Sequence, residues 1–193
     1  MKRVSQLKRT TKETSIDLSI NLDGNKDISI ETGIGFFDHM LTLLAFHANI
    51  DLTLKATGDT FVDDHHTVED VGIILGDAFK EALGDKVGIE RYSYQYMPMD
   101  EALTRVVLDI SNRPICEFNA SFNRPMVGDF ATENVLEFLR AFTNQARITL
   151  HVDVIKGTNT HHIIESIFKG LGRAIKQAIL ITSDTVSSSK GVL

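Results

Sequence analysis

Two imidazoles and a carboxylate within five consecutive positions, His65-His66 with Glu69, return almost a hundred residues later as His161-His162 with Glu165. On a helix, residues four apart project from one face, so His65 can share an ion with Glu69, and His161 with Glu165. Neighbouring positions diverge by about 100°, because a turn takes ~3.6 residues, so His65 and His66 do not serve one ion together. A pair with divergent members that occurs twice suits two metal ions better than one. Imidazole and carboxylate without thiolate suit Mn, Fe, Co, Ni or Zn. Neither window has the zincin spacing, since no histidine stands four residues after the first. A single such pair is commonly a surface decoration; its recurrence in a duplicated frame is what favours metal.

The duplication extends beyond the histidines. Placing His39 against Glu137 aligns HMLTLLAFHANIDLTLKATG with EFLRAFTNQARITLHVDVIK, and a two-residue shift then brings His65 onto His161. A period near half the chain is a duplication and not a solenoid. His39 and Glu137 are both residue types that bind metal; His47 reads as a ligand or, by preference, as a satisfied core histidine.

The elements that must carry these residues follow from periodicity. Segments 3–10 and 14–22 alternate as strands, and Asp23-Gly24 reads as a hairpin turn before a third strand in DISIET. GFFDHMLTLLAFH is helical, IDLTLKA is a strand, and Asp63 or Asp64 can cap a helix running from HHTVED to Gly84. The second half repeats this βββαβα order through YSYQYMP, ALTRVVLDIS, ICEFNASF, ATENVLEFLRAFTNQA, ITLHVDVI and NTHHIIESIFKGLGRAIKQAILI. Glycines between Leu83 and Arg91 place the boundary there, giving repeats 1–88 and 89–193. The expected class is α/β (α+β), with helices of both halves packed together and a sheet outside each. The polar tail ITSDTVSSSKGVL is expected to be disordered or to close over a ligand.

Composition bounds the partners. A net charge of −6 over 193 residues argues against nucleic acid, which demands a basic surface. No apolar run approaches the ~20 residues of a membrane span, and the first residues lack the apolar core of a secretory signal, so a cytoplasmic protein is expected. The lone Cys116 cannot form an internal disulfide and reads as a small core residue.

With these residues in hand, the chain resembles the imidazoleglycerol-phosphate dehydratase family in its monofunctional form. GIGFFDHML, DDHHTVEDVGI, MPMDEALTRVVLDISNRP, VGDFATENV, GTNTHHIIESIFK and SSKGVL carry the resemblance in order along the chain. It implies helices sandwiched between two four-stranded sheets, trimeric units, and a 24-subunit homo-oligomer with active sites between subunits. It also implies two Mn ions per site, one held by His39, His66, His161 and Glu165, the other by His65, Glu69, His162 and Glu137. Many relatives have histidine at the last position, so Glu137 is a departure. Arg91, Arg113, Lys169, Ser188, Ser189 and Lys190 correspond to the family's phosphate cradle, with His39, His47 and Glu13 also at the substrate.

The reaction implied is loss of water from imidazole-glycerol phosphate to give imidazole acetol phosphate, in histidine biosynthesis. The proton to be lost lies next to a hydroxyl and is hardly acidic; two ions binding the substrate ring as imidazolate would help expel the ring-adjacent hydroxyl. Glu13, Glu165 and a water on the metal stand as candidates for moving protons. A metal-storage shell would need no phosphate cradle, and a dimetal hydrolase would use the cradle but attack an ester or amide.

Overall fold

The computed structural model describes residues 2–193. The first half runs β1 (Val4–Thr10), β2 (Thr14–Asn21), β3 (Ile28–Glu31), α1 (Gly35–Ala48), β4 (Asp51–Gly58) and α2 (His65–Leu83). The second runs β5 (Tyr92–Met99), β6 (Ala102–Asp109), β7 (Ile115–Asn119), a small hairpin of β8 (Met126–Val127) and β9 (Phe130–Ala131), α3 (Asn134–Ala146), β10 (Thr149–Lys156) and α4 (Thr160–Ala178).

The two large sheets have one topology. Their strand orders are β1-β2-β4-β3 and β5-β6-β10-β7, which coincide when each strand is replaced by its counterpart. In both, the central pair is antiparallel and the last strand joins in parallel. Strict alternation decides which side faces in: Thr14, Ile16, Leu18 and Ile20 of β2 are buried, and Ser15, Asp17 and Ser19 are exposed.

The helices fill the space between the sheets and pair across the halves, α1 with α4 and α2 with α3. Glycine permits the second pairing, since a Cβ on Gly76 would lie 2.6 Å from the Phe142 carbonyl oxygen. Phe37, Phe138 and Phe168, all fully buried, meet between the pairs with ring centroids 5.4 Å apart for Phe37 with Phe138 and for Phe138 with Phe168. Neither half closes its core alone, as the apolar helix faces require.

Three local readings change. Asp23-Gly24 is no hairpin turn, because β3 crosses over and pairs in parallel with β4, Ile28 opposite Leu52. Instead the Asp51 carboxylate accepts the Asn25 and Asp27 N–H groups at 2.7 and 2.9 Å and folds that crossover down. The last helix ends at Ala178, and Ile181 beyond it bridges to Ile89. The small hairpin has no counterpart in the first half. It ties two helix starts together, Asp129 accepting the Gly35 and Phe36 N–H groups and Ala131 donating to Asp64. Asp64 is thereby diverted, and Asp63 accepts the His65 N–H at 2.9 Å.

Candidate metal and phosphate site

The paired histidines open α2 and α4, where free N–H groups call for a cap. Asn159 supplies it for α4, its side-chain oxygen accepting from His161 N at 2.9 Å and His162 N at 3.4 Å. The helical spacing works as expected: His161 Nε2 stands 3.2 Å from Glu165, and His65 Nε2 stands 3.9 Å from Glu69. His39, one turn into α1, reaches the same place. His39, His161 and Glu165 offer ligand atoms within 4.8 Å of one another, and among the described residues this is the single cluster of three. Donors about 2.0–2.2 Å from one ion lie up to ~4.4 Å apart, so the cluster fits a divalent cation with slight tightening.

Glu165 is buried, which favours its neutral form, but the ammonium of Lys169 bonded to it and the imidazoles of His161 and His39 outweigh that and hold its pKa low. It is therefore a carboxylate ready to bind a cation.

The remaining expected ligands stand in separate groups within one chain. His66 Nδ1 bonds Asp59 at 3.0 Å, with Glu13 at 3.9 Å. His162 Nδ1 bonds Glu101 at 2.8 Å, and Asp100 lies 3.8 Å from its Nε2. His65 Nδ1 faces Asn134 Oδ1 at 3.1 Å. Glu137, on α3, pairs with Arg140 at 3.1 Å. These partners shift the titrations: Asp59 raises His66, Glu101 raises His162, and Glu101, bonded to His162 and to backbone N–H groups, falls to about 2. His47 is half-buried and packs against Gly172 of α4; burial, then Lys169 and Arg173, lower its pKa.

A basic cavity of about 810 Å³ gathers Arg91, Arg113, Ser188, Ser189 and Lys190, with Tyr92, Ser111 and Asn112 beside them. Asp109 organises it, accepting from Arg91 at 2.7 Å and standing 3.6 Å from Arg113. Arg91 is buried and also donates to the Ser187 carbonyl at 2.7 Å, fastening the C-terminal tail as one wall. The Arg113 side chain, 66% exposed, keeps donors for an anion. Lys169 is not in this lining; it is paired with Glu165.

The cavity and the His39 cluster lie at opposite ends of α4. Arg91 N bonds the carbonyl of Ala178, the last residue of α4, whereas Glu165 is 13 residues earlier, about 20 Å along the axis at ~1.5 Å per residue. Sequence reasoning missed Asp59, Glu101, Asp109 and Asn134. The available signals were a carboxylate four residues before Arg113 and one inside MPMDEA.

Residues 32–175 match the family model for imidazoleglycerol-phosphate dehydratase. The chain belongs to that family. Its relatives include the imidazoleglycerol-phosphate dehydratase of Clostridioides difficile strain 630, 54% identical over 99% of this chain and 100% of the relative. That of an Exiguobacterium species is 56% identical over 92% of this chain and 91% of its own length. Among solved structures of the family, that from Staphylococcus aureus matches with TM-score 0.85 at 46% identity, covering 93% of this chain and 99% of that one. The structure from Pyrococcus furiosus gives TM-score 0.85 at 40% identity, covering 97% and 100%. The family's mixed fold, with helices between two four-stranded sheets, is the fold found here.

Proposed function

We propose that this protein is a hydro-lyase that converts D-erythro-imidazole-glycerol phosphate to imidazole acetol phosphate in histidine biosynthesis. The observation that carries this reading is one chain of the dehydratase family holding both a His39-His161-Glu165 metal cluster and an arginine-lined anion cavity. A storage shell has no use for the second feature. Of the chain's repeats, 1–88 supplies His39 to the cluster, and 89–193 supplies His161, Glu165 and the cavity lining.

Two Mn ions, when bound, supply Lewis-acid polarisation of the substrate's imidazole. His39, His66, His161 and Glu165 would hold one, and His65, Glu69, His162 and Glu137 the other. Arg91, Arg113, Ser188, Ser189 and Lys190 bind the phosphate, and Lys169, one turn along α4 from Glu165, completes the cradle from the copy that holds the metal. Glu13 contacts the diol, and Glu165 is a second carboxylate placed to move a proton. The C–O bond next to the ring breaks as water leaves, the neighbouring carbon loses its proton, and the resulting enol tautomerises to the ketone.

The substrate is far shorter than the 20 Å or so that separates cluster from cavity in one chain. The working site therefore joins the cluster of one copy to the cavity of another, which supports a homo-oligomer with shared sites; its trimeric units and 24-subunit shell are what the family resemblance implies. Formation of the acetol phosphate from imidazoleglycerol phosphate by purified protein tests the reading. Tight Mn²⁺ binding without turnover would return it to storage, and phosphate release in place of dehydration would make it a hydrolase.

A further inference from the structure

The strand registers identify a pair of repeat mates that the histidine windows do not. Leu18 lies opposite Leu54 in the first sheet and Val106 opposite Val152 in the second, and Leu54 and Val152 are the fifth residues of the matching segments IDLTL and ITLHV. Counting five residues back from Leu18 and from Val106 gives Glu13 and Glu101. Each closes the turn just before the second strand of its sheet, β2 at Thr14 and β6 at Ala102. His66 and His162, the imidazoles they approach, are repeat mates as well.

The two glutamates are used differently. One oxygen of Glu101 takes His162 Nδ1 at 2.8 Å while the other accepts the N–H groups of Thr158 at 3.1 Å and Asn159 at 2.8 Å, tying the ring to the loop that opens α4. Glu13 stands 3.9 Å from His66 Nδ1, beyond hydrogen-bond reach, and Asp59 from the loop after β4 takes that nitrogen at 3.0 Å. An ionised carboxylate only accepts, so Nδ1 must carry the proton, and neutral imidazole then keeps its lone pair on Nε2.

We infer that Glu101 and Asp59 are positioning residues, each fixing the ring orientation and the Nε2-ligating tautomer of one metal-binding histidine, and that Asp59 thereby frees Glu13 for the substrate. The inference rests on the dimetal reading above, in which His66 and His162 serve different ions. Carboxylates behind metal-bound imidazoles raise ligand basicity, and losing one typically weakens metal binding about 10–100-fold.

Glu101→Gln keeps an amide oxygen for the Thr158 and Asn159 N–H groups but presents an NH₂ to His162, forcing the opposite tautomer. At His66 both Asp59 oxygens face Nδ1, at 3.2 and 3.0 Å, so Asp59→Asn acts by removing the negative charge that raises the ring's ligand basicity. Full-length protein and variants, stripped with chelator, are titrated with Mn²⁺ against a chromophoric competitor. Two ions bind each wild-type chain; either single variant holds one at wild-type affinity and the other about 10–100-fold more weakly, and the double variant weakens both. Glu13→Gln leaves both affinities unchanged. Unaltered affinities in E101Q and D59N would overturn the inference, as would equal weakening of both ions in a single variant, the mark of general structural damage. Fewer than two ions on wild-type protein would overturn the dimetal reading, and this inference with it.

Discussion

At Glu165 burial and charge pull in opposite directions, and charge wins because three cationic or potentially cationic side chains surround one buried carboxylate. Such a residue was legible from its place four positions after His161, since helical spacing alone puts the two together. Glu101 and Asp59 were not, because a carboxylate in a polar loop has no periodicity to mark it, and only the folded turn brings it to an imidazole. Lys169 was legible in type but not in partner: within the chain it pairs with Glu165, four residues before it on α4. Glu13 is the residue with the least committed carboxylate among these groups. Its exchange for Gln is expected to lower kcat by about 10²–10⁴, the range for a lost general acid or base, with Mn²⁺ content unchanged. Steady-state kinetics with metal analysis checks this, and near-normal kcat would remove Glu13 from proton transfer.

The elements were readable where periodicity was long. β2 and β6 alternate over eight residues each, and the four helices carry apolar faces that only cross-half pairing can cover. The hairpin of β8 and β9 was not readable, because two-residue strands have no pattern, although it braces the starts of α1 and α2. Helix pairing makes Gly76→Ala a sensitive probe: the added Cβ meets the Phe142 carbonyl at 2.6 Å and the Gln145 Cβ at 2.7 Å. Separating α2 from α3 is expected to cost about 1–3 kcal/mol, lowering Tm by roughly 2–4 °C for each kcal/mol. The β2-to-β3 crossover has its own test. Asp51, bonded to the Asp27, Asn25 and Asn21 N–H groups, has a folded pKa below its ordinary 3.8. Its stabilisation is therefore present above pH 3.8 and lost as pH falls through the folded value. Asp51→Asn is expected to lower Tm at pH 7, and thermal melts should show the gap to wild type narrowing below pH 3.8.

On the scale of the whole molecule, duplication explains why the histidine pairs recur in the sequence, but not where a site would close. That depends on distances along α4, which separate the candidate metal cluster from the anion cavity by about 20 Å; the proposed function joins each half-site to that of another copy. Mixing His161→Ala chains with Arg113→Ala chains, each inactive alone, is expected to restore part of the activity, because some sites then draw both intact halves from different copies. Mixed oligomers as inactive as their parents would place each site within one chain. The central claim, a metal-dependent dehydratase, is tested most directly by chelator-stripped protein given imidazoleglycerol phosphate before and after Mn²⁺ is restored. Acetol phosphate formed only after Mn²⁺ returns is the expected result; equal turnover by stripped protein, or none by protein carrying two Mn²⁺ per chain, would contradict it.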